Sequence, residues 1–173
     1  LFAAVQSGAD AVYLGLKRFS ARGSAVNFDE QQLKEAVSFC HQRGVKVYAA
    51  VNTMLFDGEL ADCAKTLRIL CETGVDAAIV QDPALAELAQ SCCPELELHA
   101  STQMTLHTAA GCEFARRLGY TRTVLSRELP ADVIKELCKL QNMEIEIFVH
   151  GALCMSVSGQ CLMSAVVGGR SAN

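Results

Sequence analysis

Short β-branched apolar runs alternate with longer amphipathic stretches along the whole chain, and this order confines it to the α/β folds. The strand-like runs are Ala9 to Gly15, Val45 to Val51, Asp76 to Val80, Glu95 to Ala100, Thr121 to Ser126 and Glu144 to Val149. Their starts lie about 20 to 35 residues apart, the length of one strand-helix unit with short loops. The stretches between them read as helices. Asp29, with Gln32 three residues on, opens one that carries Leu33, Ala36, Val37 and Cys40 on one face and stops at Gly44. A second carries Leu60, Cys63, Ala64, Leu67, Leu70 and Cys71 to a stop at Gly74. A third starts at the first-turn proline Pro83 and ends near Cys92. A fourth spans Leu106 to Leu118, and a fifth begins at Pro130 with Val133, Ile134, Leu137 and Cys138 inward.

Such alternation builds a parallel sheet, either doubly wound or closed as a barrel. A dinucleotide-binding sheet calls for Gly-x-Gly-x-x-Gly after its first strand. This chain has Gly15-Leu16-Lys17-Arg18-Phe19-Ser20 instead. The expectation is one domain over residues 1–173, a partial (β/α)8 TIM-type barrel with about six parallel strands, truncated at both ends. Leu1 to Val5 read as the tail of a helix ending at Gly8, and at least two further strands are expected outside the chain.

The chain has 173 residues, 51% of them hydrophobic, enough for a core that removes roughly 70% of the unfolded surface from water. Asp10, Lys46, Asp76 and Glu146 interrupt every apolar run short of the ~18 residues of a membrane helix, and nothing at the start reads as a signal peptide. Nine cysteines in a chain of this apolar content point to a reducing, cytoplasmic compartment rather than to disulfide staples. Cys40, Cys63, Cys71, Cys112 and Cys138 continue helical apolar stripes and read as small core residues. Cys92 and Cys93 precede Pro94 at a helix end, a place open to a redox or metal role but with no partner motif nearby.

In barrels, chemistry gathers at the carboxyl ends of the strands. The residues there are Lys17, Arg18 and Arg22; Asn52 and Thr53; Gln81 and Asp82; Ser101, Thr102 and Gln103; Ser126, Arg127 and Glu128; and His150. Thr53, Asp82 and Ser126 read equally as loop starters and helix caps. Asn52, Gln103, Arg127, Glu128 and His150 together bring amide, guanidinium, carboxylate and imidazole groups to one rim, a set suited to a small polar or anionic ligand. Residues 150–173 form a cysteine-containing loop region, in which Gly151 permits a sharp turn after His150, and Cys154 and Cys161 follow. Two thiols on such a loop can ligate zinc or an iron-sulfur cluster, though either needs about four ligands. Alternatively, His150 serves as base for a nucleophilic Cys154. Ser158-Gly159 lies beside the cysteines without an evident base.

The runs His150-Gly151-Ala152-Leu153-Cys154, Ser158-Gly159-Gln160-Cys161-Leu162-Met163-Ser164 and Gly168-Gly169-Arg170-Ser171-Ala172-Asn173 closely resemble the signature of the collagenase-like peptidases, family thirty-two of the peptidases of unassigned mechanism. Supporting matches are Gly8 to Gly15, Phe19 to Arg22, Asn52-Thr53, Ser101 to Gln103 and Leu125 to Leu129. The resemblance implies a barrel-like fold and either of two activities. Some members are collagen-degrading peptidases; others are oxygen-independent hydroxylases of tRNA, ribosomal RNA or the ubiquinone ring, with a four-cysteine iron-sulfur site. By resemblance, Cys154 and Cys161 match the first two ligands of a 4Fe-4S cluster. The other two would follow Asn173, so the cluster is expected to be incomplete in this chain. The Gly168 to Ser171 form looks like the ribosomal-RNA hydroxylase branch.

No His-Glu-x-x-His helix or Gly-x-Ser-x-Gly elbow is present, which leans away from proteolysis. RNA binding is not advertised either: the net charge is -4, and Lys17, Arg18, Arg22, Arg116, Arg117 and Arg122 are scattered. The favoured expectation is an iron-sulfur-dependent RNA hydroxylase in which Cys154 and Cys161 ligate the cluster. His150, Glu128 and Arg127 are its candidate catalytic residues, and Asn52, Gln103 and Arg22 its candidate substrate contacts. A peptidase acting on peptide or collagen is the runner-up, and a non-catalytic barrel subunit the third reading.

Overall fold

The computed structural model describes residues 1–21, 27–151, 154–161, 163 and 166. Its centre is a curled, open, six-stranded parallel sheet. The strands are β1 (Ala11–Gly15), β2 (Lys46–Val51), β3 (Ala77–Val80), β4 (Glu97–Ala100), β5 (Arg122–Val124) and β6 (Glu144–Glu146), paired in chain order. A doubly wound sheet reverses its strand order at a switch point, and this one never does. The helices are α1 (Phe2–Gln6), α2 (Glu30–His41), α3 (Leu60–Thr73), α4 (Pro83–Cys92), α5 (Ala109–Arg117) and α6 (Ala131–Leu137).

Local chemistry explains most helix ends. The Asp29 side chain accepts from the Gln32 N–H at 3.0 Å while the Gln32 side chain accepts from the Asp29 N–H at 3.0 Å, the reciprocal capping box read from the sequence. At the start of α4, Asp82 accepts from Ala84 N–H at 2.9 Å and Pro83 occupies the first turn. Gly74 ends α3 at φ 75, a conformation that costs glycine little. Two elements differ from expectation. Helix α5 begins at Ala109 rather than Leu106, because Thr105 turns left-handed at φ 56 and Thr108 caps the helix by accepting from Gly111 N–H at 3.0 Å. Helix α6 has only seven residues and Cys138 is its C-cap. That residue is exposed rather than a core residue, because the helix ends before it can turn inward.

One apolar layer lies between the sheet and the helices. Leu33, Leu67, Leu70 and Leu85 from the helices are fully buried against Val47, Ala49, Val51, Ala78 and Val80 from the strands, and each leucine contributes roughly 1.5–3 kcal/mol by leaving water. Cys40, Cys63 and Cys112 are buried in this layer as expected, while Cys71 is only half-buried. Strand residues alternate faces. The opposite, concave face therefore carries Tyr48, Ile79, Gln81, His99, Ser101, Arg122, Val124, Ser126, Glu144 and Glu146.

The last two strands are shorter than expected. Beyond Glu146, Ile147, Phe148 and Val149 are 44%, 47% and 88% exposed. Strand β6 is the sheet edge, so nothing pairs with its outer side among the described residues. No helix among the described residues is long and apolar enough to cross a membrane.

Candidate functional site

The concave face has two polar levels with different chemistry. At the N-terminal ends of the strands, the Arg122 Nε donates to Glu144 at 2.8 Å, and its Nη1 donates to the Tyr48 hydroxyl at 3.2 Å and to Glu146 at 3.3 Å. Next to them His99 is 1% exposed, its ring edge against Tyr48 with centroids 4.7 Å apart. Burial, with the Arg122 and Lys46 charges adding to it, lowers the His99 pKa to about 4 and keeps the ring neutral. A hollow of about 550 Å³ lined by Arg122, Cys138, Met143, Glu144, Ile145 and Glu146 opens at this end. In barrels this end serves stability, and none of the candidate site residues that are described lies there.

The other level is the rim at the carboxyl ends. Its centre is Ser158, on the loop that returns from β6, and it is 1% exposed. The Ser158 hydroxyl donates to the Glu128 carboxylate at 3.1 Å and accepts from Arg127 N–H at 3.1 Å and Arg127 Nε at 3.2 Å. The Ser158 backbone N–H donates to the same Glu128 oxygen at 2.8 Å, and the Ser158 carbonyl accepts from the Thr105 hydroxyl at 2.8 Å. The adjacent Gly159 sits at φ 77 directly on Gln103, whose Cα is 2.8 Å from where a Cβ would be. The loop is thus docked on the rim of β4 and β5 by hydrogen bonds on one side and backbone contact on the other.

Docking brings the two candidate ligands together. Cys154 is exposed and Cys161 half-buried. The Ser156 N–H, the neighbouring Cys161 thiol and the Arg127 guanidinium lower the Cys154 pKa, with desolvation opposing. Arg127 is held in place, half-buried, by its bonds to Ser158 and by a 3.4 Å bond to the Ser156 carbonyl. For Glu128, desolvation works against ionisation. Hydrogen bonds from its own backbone and from the Ser158 N–H and hydroxyl, with the Arg127 charge, outweigh it and hold the carboxyl below its ordinary value.

The remaining candidates are placed as follows. Asn52 accepts from the Ala21 N–H at 3.0 Å, tying down the loop after β1. The Gln103 side-chain oxygen is buried without a partner among the described residues. His150 is exposed. Arg22 lies outside the described residues, as do residues 167–173 with the Gly168 to Asn173 run. Two sequence expectations are corrected. Ser158 does have a carboxylate beside it, Glu128, thirty residues away in the chain and therefore invisible to local motif reading. Cys93 is not isolated either: it lies beside Cys71, whose thiol is pushed up to about 12 by desolvation first, then by Cys93 and Glu95.

As donors, Cys154 and Cys161 fit a soft metal centre, since both are thiols, adjacent, and supported by a cation and a backbone N–H. A cluster takes about four thiolates, of which this pair would be two, and no group of three metal-binding side chains occurs among the described residues. Most of the scattered basic residues that are described are held in ion pairs. Lys17 pairs with Asp29, Arg18 with Asp62, Arg116 and Arg117 with Glu113, and Arg122 with Glu144.

Comparison with known proteins places this geometry in context. The model of peptidase family U32 matches residues 1–173. A 23S rRNA 5-hydroxycytidine synthase of Escherichia coli is 44% identical over 170 residues, which are 98% of this chain and 25% of that protein. The tRNA hydroxylation protein P of the same organism is 40% identical over 167 residues, 96% of this chain and 37% of that protein. The chain thus spans about a quarter to two fifths of the length of these relatives. Among solved structures, that of a U32 peptidase superposes with a TM-score of 0.67 at 17% identity, covering 81% of this chain and 60% of the other. At that identity the likeness concerns the fold alone.

Proposed function

The chain belongs to peptidase family U32, and from that premise we propose that it is the cluster-bearing part of an iron-sulfur-dependent, oxygen-independent RNA hydroxylase. Its open sheet is on this reading six strands of a (β/α)8 barrel. The observation that carries the reading is the pairing of Cys154 with Cys161 on a loop that Ser158 pins beside Arg127 and Glu128. A hydrolytic site needs one nucleophile with its base and has no use for a second thiol beside the first. His150 is exposed. The RNA-hydroxylating relatives at 44% and 40% identity support the substrate class.

On this reading Cys154 and Cys161 hold one side of a 4Fe-4S cluster, which supplies electron transfer or Lewis acidity when bound. Arg127 offsets the negative charge of the thiolates and keeps the loop oriented through Ser156 and Ser158. Glu128 stays ionised and acts as the loop's anchor. Its two bonds from Ser158 occupy one carboxylate oxygen and leave the other for a substrate hydroxyl or amino group. His150, four residues beyond β6, is exposed and free to meet substrate from the solvent side.

The test is nucleoside mass spectrometry of ribosomal and transfer RNA from cells with and without the full-length gene. A hydroxylated pyrimidine that disappears on deletion and returns with the wild-type gene supports the reading. Unchanged RNA, with cleavage of a peptide substrate by the purified protein, gives the peptidase reading the weight instead.

A further inference from the structure

The chain has four histidines, and the fold accounts for two of them. His41 pairs with Asp76 at 2.8 Å, and His99 is buried on the concave face. His107 and His150 remain, both exposed. Of these, His107 has a fixed ring. Its Nδ1 lies 2.7 Å from the Thr105 carbonyl oxygen. A carbonyl only accepts, so Nδ1 carries the hydrogen, and in the neutral ring Nε2 keeps a lone pair. That nitrogen has no hydrogen-bond partner among the described residues.

The backbone that carries His107 is held on both sides. Residues 105–108 join the turn after β4 to α5. The Leu106 carbonyl accepts from the Ser126 N–H, at the end of β5, at 3.1 Å. On the other side Thr108 caps α5 by accepting from the Gly111 N–H at 3.0 Å. Thr105 itself is left-handed at φ 56, an outlier for a β-branched residue that persists only where the surroundings over-determine it. Those surroundings are the cysteine loop. The Thr105 hydroxyl donates to the Ser158 carbonyl at 2.8 Å and accepts from the Gln160 amide at 3.3 Å. One residue thus holds the imidazole through its carbonyl and the loop from Cys154 to Cys161 through its side chain. The strained turn that receives the loop also places His107 on the same rim.

The chemistry of the ring goes beyond that structural duty. Donating to a carbonyl needs only an N–H, which any amide side chain supplies. What the imidazole adds is an accessible, unprotonated nitrogen on a ring whose tautomer and backbone are already set, which is the equipment of a general base.

We propose that His107 is a further catalytic residue, whose Nε2 takes as a proton the hydrogen that a hydroxyl group replaces on the RNA base. The inference rests on the RNA reading above. The step is a proton transfer alone. The C–H bond breaks and leaves its electron pair in the ring of the base, the Nε2–H bond forms, and the imidazolium passes the proton to water. The Nδ1–H bond to Thr105 is kept throughout and is stronger while the ring is charged.

Two readouts on the full-length protein test this. The first needs no turnover. Diethyl pyrocarbonate acylates accessible, unprotonated imidazole nitrogen, and mass spectrometry follows the His107 peptide with and without RNA from cells that lack the gene. His107 is expected to react in the protein alone and to lose most of that reactivity when the RNA is present. The second compares how fast hydroxylated nucleoside accumulates in such cells after induction of the wild type or of His107→Asn. The asparagine amide offers an N–H in place of the Nδ1–H and no base. His107→Asn is expected to keep the iron content of the wild type and the protease resistance of the loop, and to slow accumulation by about 10²–10⁴, the usual worth of a positioned base. Accumulation at the wild-type rate, slowing matched by loss of iron, or equal reactivity of His107 with and without RNA overturns the assignment. Failure of the RNA reading is seen separately, as absence of any hydroxylated nucleoside dependent on the wild-type gene.

Discussion

Ser158 donates twice to one oxygen of Glu128, through its backbone N–H at 2.8 Å and its hydroxyl at 3.1 Å, and so joins the loop after β6 to the end of β5. Ser158→Ala removes the hydroxyl and leaves the Arg127 Nε without that acceptor. The variant should lose about 2 kcal/mol of stability, the usual worth of hydrogen bonds to charged groups, and should retain less iron than wild type. Thermal melting and metal analysis of the purified variant check both; a variant with wild-type melting and iron content would show that the latch is idle.

Gly159→Ala should be worse than Ser158→Ala for the loop. The backbone there is left-handed at φ 77, and the new methyl meets the Gln103 backbone rather than a yielding side chain. Loss of about 1–3 kcal/mol is expected from the strained conformation, with increased protease cleavage between Gly151 and Cys161. Limited proteolysis followed by mass spectrometry reads the site of cleavage.

His99 makes stability depend on acid. Its folded pKa of about 4 lies below the ordinary value of 6.5, so the unfolded chain binds the extra proton first as pH falls. The contribution is complete above about pH 6.5 and is lost progressively down to about pH 4. A difference of about 2.5 units at about 1.4 kcal/mol each makes the loss roughly 3 kcal/mol. His99→Gln should flatten the stability profile in that window. Urea titrations at a series of pH values, wild type against variant, measure the difference, and parallel curves would contradict the assignment to His99.

Cys63 is fully buried among leucines and its thiol is pushed up to about 12 by desolvation first, then by Asp82 and Glu59. Cys63→Ala should lower stability by about 1 kcal/mol through lost packing without changing metal content. Iron lost from this variant would count against dividing the cysteines into core and ligand groups.

The sequence carried the fold further than it carried the site. The Asp29 and Gln32 capping box, Pro83 and Gly74 mark helix ends through contacts within four residues, so local reading finds them. Strand order follows from the alternation, because each crossover is short. Strand lengths do not: Ile147 to Val149 are as apolar as any strand, but pairing depends on a neighbour. Cys138 reads as core on a helical wheel, and it faces solvent because α6 stops at Leu137. The contact between Ser158 and Glu128 spans thirty residues and has no sequence signature of its own.

The measurement that tests the account most directly is the iron and acid-labile sulfide content, with the visible absorption spectrum, of the full-length protein purified without oxygen, beside its Cys154→Ala and Cys161→Ala variants. The account predicts about four irons per chain in the wild type and their loss in both variants. A colourless wild type that takes up no iron on reconstitution, or variants that keep a full complement, would contradict it.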